Sequence, residues 1–160
     1  MKKIKLETTF TVFDDISELS NEENLLLKEA IKARNKAYAP YSNFSVGAAL
    51  LLDNGKILTG NNQENAAYPS GMCAERVAIY SAGALYPDTI IMKVAISASS
   101  SIKKVKNPVG PCGACRQAIA EYEYKQDKPI EIFFMGETGQ IIKTDSLKDL
   151  LPLSFDSSYL

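Results

Sequence analysis

The chain has 160 residues, 46% of them hydrophobic and 23% charged, with a formal net charge of −1. That length is one domain on a scale of about 150 residues per domain, and the composition excludes wholesale disorder. A near-zero charge leaves no basic footprint for nucleic-acid phosphates, and the longest apolar stretch, Val46 to Leu52, contains Gly47 and is too short to span a bilayer.

Lys2, Lys3 and Lys5 open the chain in the manner of a secretion signal, but Glu7, Thr8, Thr9, Asp14 and Asp15 interrupt any apolar core. A soluble, cytoplasmic protein is therefore expected. Ile4, Leu6, Thr8, Phe10 and Val12 alternate as in a strand or extended arm. Ser20 with Glu23 forms a capping box that opens a helix to about Tyr38, ending before Pro40. Its buried face is expected from Leu26, Leu27, Ala30, Ile31, Ala37 and Tyr38. After a loop at Pro40-Tyr41-Ser42-Asn43, the segments Phe44 to Leu52 and Lys56 to Gly60 read as a hairpin around Asp53-Asn54-Gly55.

An irregular loop from Asn61 to Met72 leads to an apolar helix from Cys73 to about Leu85, then a buried strand from Ile90 to Ser97. The polar stretch Ala98 to Gly110 holds the only basic cluster, Lys103, Lys104 and Lys106, read as a solvated loop. Pro111 opens a helix to about Tyr124, followed by strands at Ile130 to Met135 and Gln140 to Lys143, a helix near Ser146 to Leu151 and an irregular tail. Strands alternating with helices after an initial hairpin give an α/β fold, a layered sheet with helices on both faces.

The chain has no histidine, which excludes a Ser-His-Asp triad, a Cys-His dyad and a histidine metal ligand. Its three cysteines, an odd number without a secretion signal, argue for reduced thiols rather than a disulfide framework. Cys112 and Cys115 lie three apart in a first helical turn, so their sulfurs share a face; Cys73 begins another helix. Helix N-termini favour thiolates, and three thiolates aimed at one point form a soft-metal site best suited to zinc. With only three protein ligands, the fourth position falls to water, a carboxylate or another subunit, and water is the expectation, as in catalytic zinc. Glu75 lies close enough to exchange protons with that water, and Arg76 is placed to hydrogen-bond the sulfurs. By itself Glu75 reads as a first-turn glutamate favoured by the helix dipole; beside three cysteines it reads as a proton carrier. A thiol–disulfide oxidoreductase would use the Cys-Gly-Ala-Cys spacing but leaves Cys73 and Glu75 without a role.

Cys73-Ala74-Glu75-Arg76 together with Pro111-Cys112-Gly113-Ala114-Cys115-Arg116-Gln117 closely resembles the zinc-dependent cytidine deaminases, specifically their small homotetrameric group. The resemblance extends through Tyr38-Ala39-Pro40-Tyr41-Ser42-Asn43-Phe44, Val46-Gly47-Ala48-Ala49-Leu50 and Asn62-Gln63-Glu64-Asn65-Ala66-Ala67-Tyr68 to Leu150-Leu151-Pro152 and Phe155, covering about Asn24 to Phe155. It implies a three-layer α/β/α cytidine deaminase-like fold with a mixed central sheet over residues 22–160, with residues 1–21 as an N-terminal extension or edge strand. It also implies one Zn²⁺ per chain on Cys73, Cys112 and Cys115, with Glu75 as proton shuttle. Asn62 and Glu64 would grip the ribose 3′-hydroxyl, Phe44 would pack on the pyrimidine, and Ala66, Tyr68 and Ala74 would complete the pocket. Phe155 would enter a neighbouring subunit's site in a homotetramer. The implied substrates are free cytidine and 2′-deoxycytidine, as in pyrimidine salvage, with no nucleic-acid polymer or membrane as partner. A blasticidin-type nucleoside analogue is the alternative substrate, and a non-catalytic zinc module a more distant one. Asn61 stands where the family often has a cysteine that is not a ligand.

Overall fold

Ser20 starts the first helix as its sequence requires: its hydroxyl accepts from the Glu23 N–H at 3.3 Å, and the Glu23 carboxylate accepts from the Ser20 N–H at 3.0 Å. The computed structural model describes all 160 residues. In chain order the elements are β1 (Thr11–Phe13), α1 (Asn21–Arg34), β2 (Phe44–Leu52), β3 (Ile57–Asn61), α2 (Ala74–Leu85), β4 (Ile91–Ser100), α3 (Gly113–Gln126), β5 (Glu131–Met135) and β6 (Ile141–Thr144). The six strands form one sheet in the order β1-β6-β5-β4-β2-β3. All neighbours are antiparallel except β4 and β5, which run parallel because α3 makes the crossover between them. The sheet is mixed, as expected.

Side chains that alternate along the strands divide between two cores. Ala48, Leu50 and Leu52 of β2, Val94 and Ile96 of β4, and Ile132 and Phe134 of β5 meet Ala78, Ile79 and Ala82 of α2 and Ile119 of α3. The intervening Ala49, Leu51, Ala95, Phe133 and Met135 meet Leu26, Leu27 and Ala30 of α1. The result is three layers, with α1 on one face and α2 and α3 on the other. Two glycines fix how closely the helices approach. A Cβ on Gly47 would sit 2.1 Å from the Ala30 carbonyl oxygen of α1, and one on Gly60 would sit 2.4 Å from the Ala74 carbonyl oxygen of α2. The second contact sets the start of α2 directly on β3.

The structure corrects several element bounds. The strand or extended arm expected over Ile4 to Val12 forms sheet pairing only at Thr11–Phe13, with Ile141–Lys143 of β6, and Ile4 and Leu6 stay exposed. Helix α1 stops at Arg34 rather than Tyr38, since the Tyr38 N–H donates to the Asn62 carbonyl and its own carbonyl accepts from the Glu64 N–H. Tyr38 is consequently exposed rather than buried. Strand β4 runs three residues further than expected, to Ser100, paired with Phe44 of β2. Helix α3 begins two residues after Pro111, and the helix near Ser146 to Leu151 is one 3-10 turn at Leu147–Asp149.

Candidate active site

Both helices on the α2–α3 face have a cysteine at the N-cap, Cys73 for α2 and Cys112 for α3, and neither is capped by its own side chain. Extended backbone at each cap, with ψ of 153° and 167°, precedes a first turn whose N–H groups lack intrahelical acceptors. Cys115 follows one turn into α3. The three Sγ atoms lie within 4.8 Å of one another, and Cys112 and Cys115 are separated by 3.5 Å. A tetrahedral zinc with Zn–S arms of about 2.3 Å spaces its sulfurs about 3.8 Å apart. The spacing and the all-sulfur donor set fit zinc.

The electrostatics around these sulfurs are uneven. Cys73 is lowered to about 5, chiefly by a hydrogen bond from Cys115, with help from Arg76 and Cys112 and against the effect of burial. Cys115, fully buried, is pushed up by the same hydrogen bond, by burial and by the Glu75 charge. One sulfur of the pair thus ionises easily while its neighbour retains a proton that a metal must displace. The Arg76 guanidinium lies 3.9 Å from Cys73 Sγ, which holds the arginine firmly protonated. Its Nε, buried, has no hydrogen-bond partner. Glu75, in the first turn of α2, is only 5% exposed. Burial pushes its pKa up, the charge of Cys73 adds to that, and its own backbone N–H partly opposes it. A buried carboxyl raised above the ordinary carboxylate range therefore sits beside the sulfurs.

A cavity of about 440 Å³ opens against Cys73 and Arg76, and Asn62, Glu64 and Tyr68 line it as well. Much of its lining comes from the chain between Asn62 and Met72, held in place by bridges from Gln63 to Tyr38 and to Met72. The Asn62 carboxamide is engaged with β2, with Nδ2 donating to the Phe44 carbonyl at 2.9 Å and Oδ1 accepting from the Val46 N–H at 2.8 Å. It serves as one more residue of β3 pairing onto β2.

The other sequence-derived residues lie outside the cavity lining. Phe44 begins β2 and is half-buried, Ala66 is on an exposed loop, and Ala74 is fully buried where α2 meets β3. Phe155, 58% exposed, stacks on Tyr159 with ring centroids 5.6 Å apart. Its carbonyl accepts from Gln117 Nε2 at 2.9 Å, and Arg116 donates to the Leu150 carbonyl at 2.8 Å. The tail is thereby tied to the helix that carries two of the cysteines.

Sequence reasoning passed over Tyr41 and Ser42, both of which line the cavity. Their N–H groups donate to Glu64 Oε2 at 2.9 and 3.2 Å, and the Ser42 hydroxyl donates to Glu64 Oε1. The Ser42 hydroxyl is the main reason Glu64 lies below the usual carboxylate range. The one local signal was the Pro-Tyr-Ser-Asn turn, whose Asn43 adopts a φ of 56°.

Residues 20–127 match the family described as the cytidine and deoxycytidylate deaminase zinc-binding region. A cytidine deaminase of Halalkalibacterium halodurans is 41% identical over 134 residues, 84% of this chain and 94% of that protein. Another, from Sporosarcina psychrophila, is 40% identical over 135 residues, covering 84% and 92%. The crystal structure of cytidine deaminase from Burkholderia pseudomallei superposes with a TM-score of 0.71 at 39% identity, covering 86% of this chain and all of that one.

Proposed function

The chain belongs to the cytidine and deoxycytidylate deaminase family, and from that membership we propose how its own residues carry out the zinc-dependent deamination of cytidine, with 2′-deoxycytidine as a second substrate. The reaction is hydrolytic: cytidine and water give uridine and ammonia. The observation that carries this reading is the convergence of three sulfurs within 4.8 Å near the almost fully buried Glu75, with one of the sulfurs, that of Cys73, lining a cavity.

Cys73, Cys112 and Cys115 would hold one zinc ion per chain, which when bound supplies the Lewis acidity that makes a water nucleophilic near neutral pH. Glu75 would carry both protons of the attacking water. It places one on the pyrimidine N3 as C4 is attacked and the other on the 4-amino nitrogen, which leaves as ammonia. Its burial suits it to both steps, because raising a carboxyl makes it a better acceptor of the water's proton and leaves more of it protonated for the return step. Arg76 balances the negative charge of the sulfurs through its contact with Cys73.

Asn62 and Glu64 grip the ribose 3′-hydroxyl, and donor arithmetic supports this. A carboxylate offers about four acceptor sites; Glu64 has three occupied by Tyr41 and Ser42, leaving one on Oε1. Asn62 spends one N–H on Phe44 and keeps the other. One acceptor and one donor match a single hydroxyl, whereas a phosphate ester at that position has no proton to donate and brings charge against Glu64. Phe44 contacts the base, with Ala66, Tyr68 and Ala74 completing the pocket around it. Phe155, exposed on a tail anchored to α3, enters the site of a neighbouring subunit in a homotetramer. Residues 22–160 form the catalytic domain, and residues 1–21 are an extension that adds β1 to the sheet edge. No helix is long and apolar enough to cross a membrane. We assign the enzyme to the cytoplasm, where its three free thiols stay reduced, and to pyrimidine salvage.

Ammonia release over a panel of cytidine, 2′-deoxycytidine, blasticidin S and a short cytosine-containing oligonucleotide tests the assignment. The two nucleosides are expected to react and the oligonucleotide to be nearly inert. Equal kcat/KM for cytidine and the oligonucleotide would show the pocket assignment wrong, and turnover of blasticidin S alone would replace the substrate.

A further inference from the structure

The turn Pro40-Tyr41-Ser42-Asn43 takes no part in holding zinc or moving protons, yet its hydrogen bonds reach both Glu64 and Phe44. Ser42 is at its centre. Its hydroxyl donates to Glu64 Oε1 and accepts from the Phe44 N–H at 3.0 Å, while its own N–H donates to Glu64 Oε2 at 3.2 Å. Two residues assigned to different parts of the substrate, Glu64 to the ribose and Phe44 to the base, thus hang on one hydroxyl group.

We propose that Ser42 is a positioning residue that aims the Glu64 carboxylate at the 3′-hydroxyl and locks the start of β2 at Phe44, so making the enzyme selective for a free 3′-hydroxyl; this rests on the reading of Glu64 as the hydroxyl's acceptor. With Ser42 in place, three of the four acceptor sites on Glu64 are filled, and the one left lies on Oε1. Without its hydroxyl, Oε1 loses its only protein partner and the carboxylate is held by main-chain N–H groups on one oxygen alone. The bond to Phe44 N–H, a serine turn closing on itself two residues on, is lost at the same time. The Ser42 hydroxyl also keeps Glu64 ionised well below neutral pH, so the site presents an acceptor rather than a donor. Asn62 completes the arrangement by fixing the other side of Phe44 through its carbonyl.

The test compares cytidine with 3′-deoxycytidine in steady-state kinetics on zinc-loaded wild type, Ser42→Ala, Ser42→Thr and Glu64→Gln, with zinc content and Tm measured on each. Wild type should prefer cytidine. Ser42→Ala should raise KM for cytidine about tenfold with kcat kept within about twofold. Its KM for 3′-deoxycytidine should change less, so that discrimination between the two shrinks. Ser42→Thr, which keeps the hydroxyl, should restore discrimination. If Ser42→Ala does not fold, Ser42→Cys reads the same ratio, since a thiol is a weak donor. Discrimination lost in Glu64→Gln but intact in Ser42→Ala would overturn the role of Ser42 alone. Discrimination intact in Glu64→Gln would overturn the ribose reading of Glu64, and the proposal with it.

Discussion

Two groups of ionisable side chains lie on opposite faces of the sheet, and they are arranged to opposite effect. On the α1 face, Lys93 contacts Glu22, Glu23 and Glu131 at 3.1, 3.6 and 3.5 Å, and Lys143 contacts Glu23 and Glu131 at 3.4 and 2.8 Å. Each charge there has a partner of opposite sign. Burial alone would lower both lysines, but their carboxylate partners outweigh it and raise them. At the cysteine site the balance is reversed. Glu75 is raised, Cys115 is raised and Cys73 is lowered, within one first-turn neighbourhood. The first arrangement keeps lysines and carboxylates in the charge states they hold at neutral pH. The second moves neighbouring groups in opposite directions, lowering one thiol and raising another thiol and a carboxyl, a pattern that suits proton transfer and metal binding. The sheet separates the two by a full layer of apolar side chains.

The largest expected effect lies with the sulfurs. Cys115→Ser should lose both zinc and activity, since two thiolates cannot retain the metal as three do. Metal analysis of protein purified without chelator checks this, and a zinc-free variant with full activity would break the contrast drawn above. Glu75→Gln sharpens it. Zinc content should stay near one per chain while kcat falls about 10²- to 10⁴-fold, the usual range for a lost general acid–base group. A parallel loss of zinc would instead make Glu75 part of the metal's support.

Phe155→Ala should act across subunits. Removing a contact of this size should raise KM about tenfold, with zinc retained. Light scattering at assay concentration provides the companion measurement: a fully active monomer would exclude a shared site.

What the sequence made legible, and what it hid, follows the same division between local and distant contacts. The start of α1 is encoded within four residues by Ser20 and Glu23, and the hairpin by Asp53-Asn54-Gly55, so both were readable. The cysteine cluster was readable because two of its members lie one helical turn apart and the third begins a helix of its own. The end of α1 was misread since Tyr38 pairs with Asn62 and Glu64, more than twenty residues away. The Ser42–Glu64 clamp was hidden for that reason too: nothing in the local composition of either segment says that they meet. The exposed alternation from Ile4 to Phe10 has the pattern of a strand, but no neighbouring strand pairs with it.

The smallest expected effect belongs to the paired face and concerns pH. Glu23 both completes the α1 capping box and contacts the two lysines. Burial would raise its pKa, but the Ser20 hydrogen bonds and the two lysines outweigh this and lower it below 4.5. A carboxylate lowered on folding stabilises the native state above its unfolded pKa, and that contribution is lost as pH falls through the folded value. Lys93 and Lys143, raised above 10.5, contribute fully below that pH and lose their share as pH rises beyond it. Stability should therefore form a plateau through neutrality, falling at both ends. Glu23→Gln should lower Tm on the plateau by a few degrees, equivalent to about 1 kcal/mol for a cap and partly buried ion pairs together. It should also flatten the acid limb, because the group responsible no longer titrates. Its kcat/KM should match wild type, as Glu23 lies on the α1 face, away from the cysteines. Thermal melts from pH 3 to pH 11 measure the stability changes, and steady-state kinetics at neutral pH the activity. An acid limb of unchanged slope would mean that other carboxylates carry the acid sensitivity and that Glu23 serves the helix start alone.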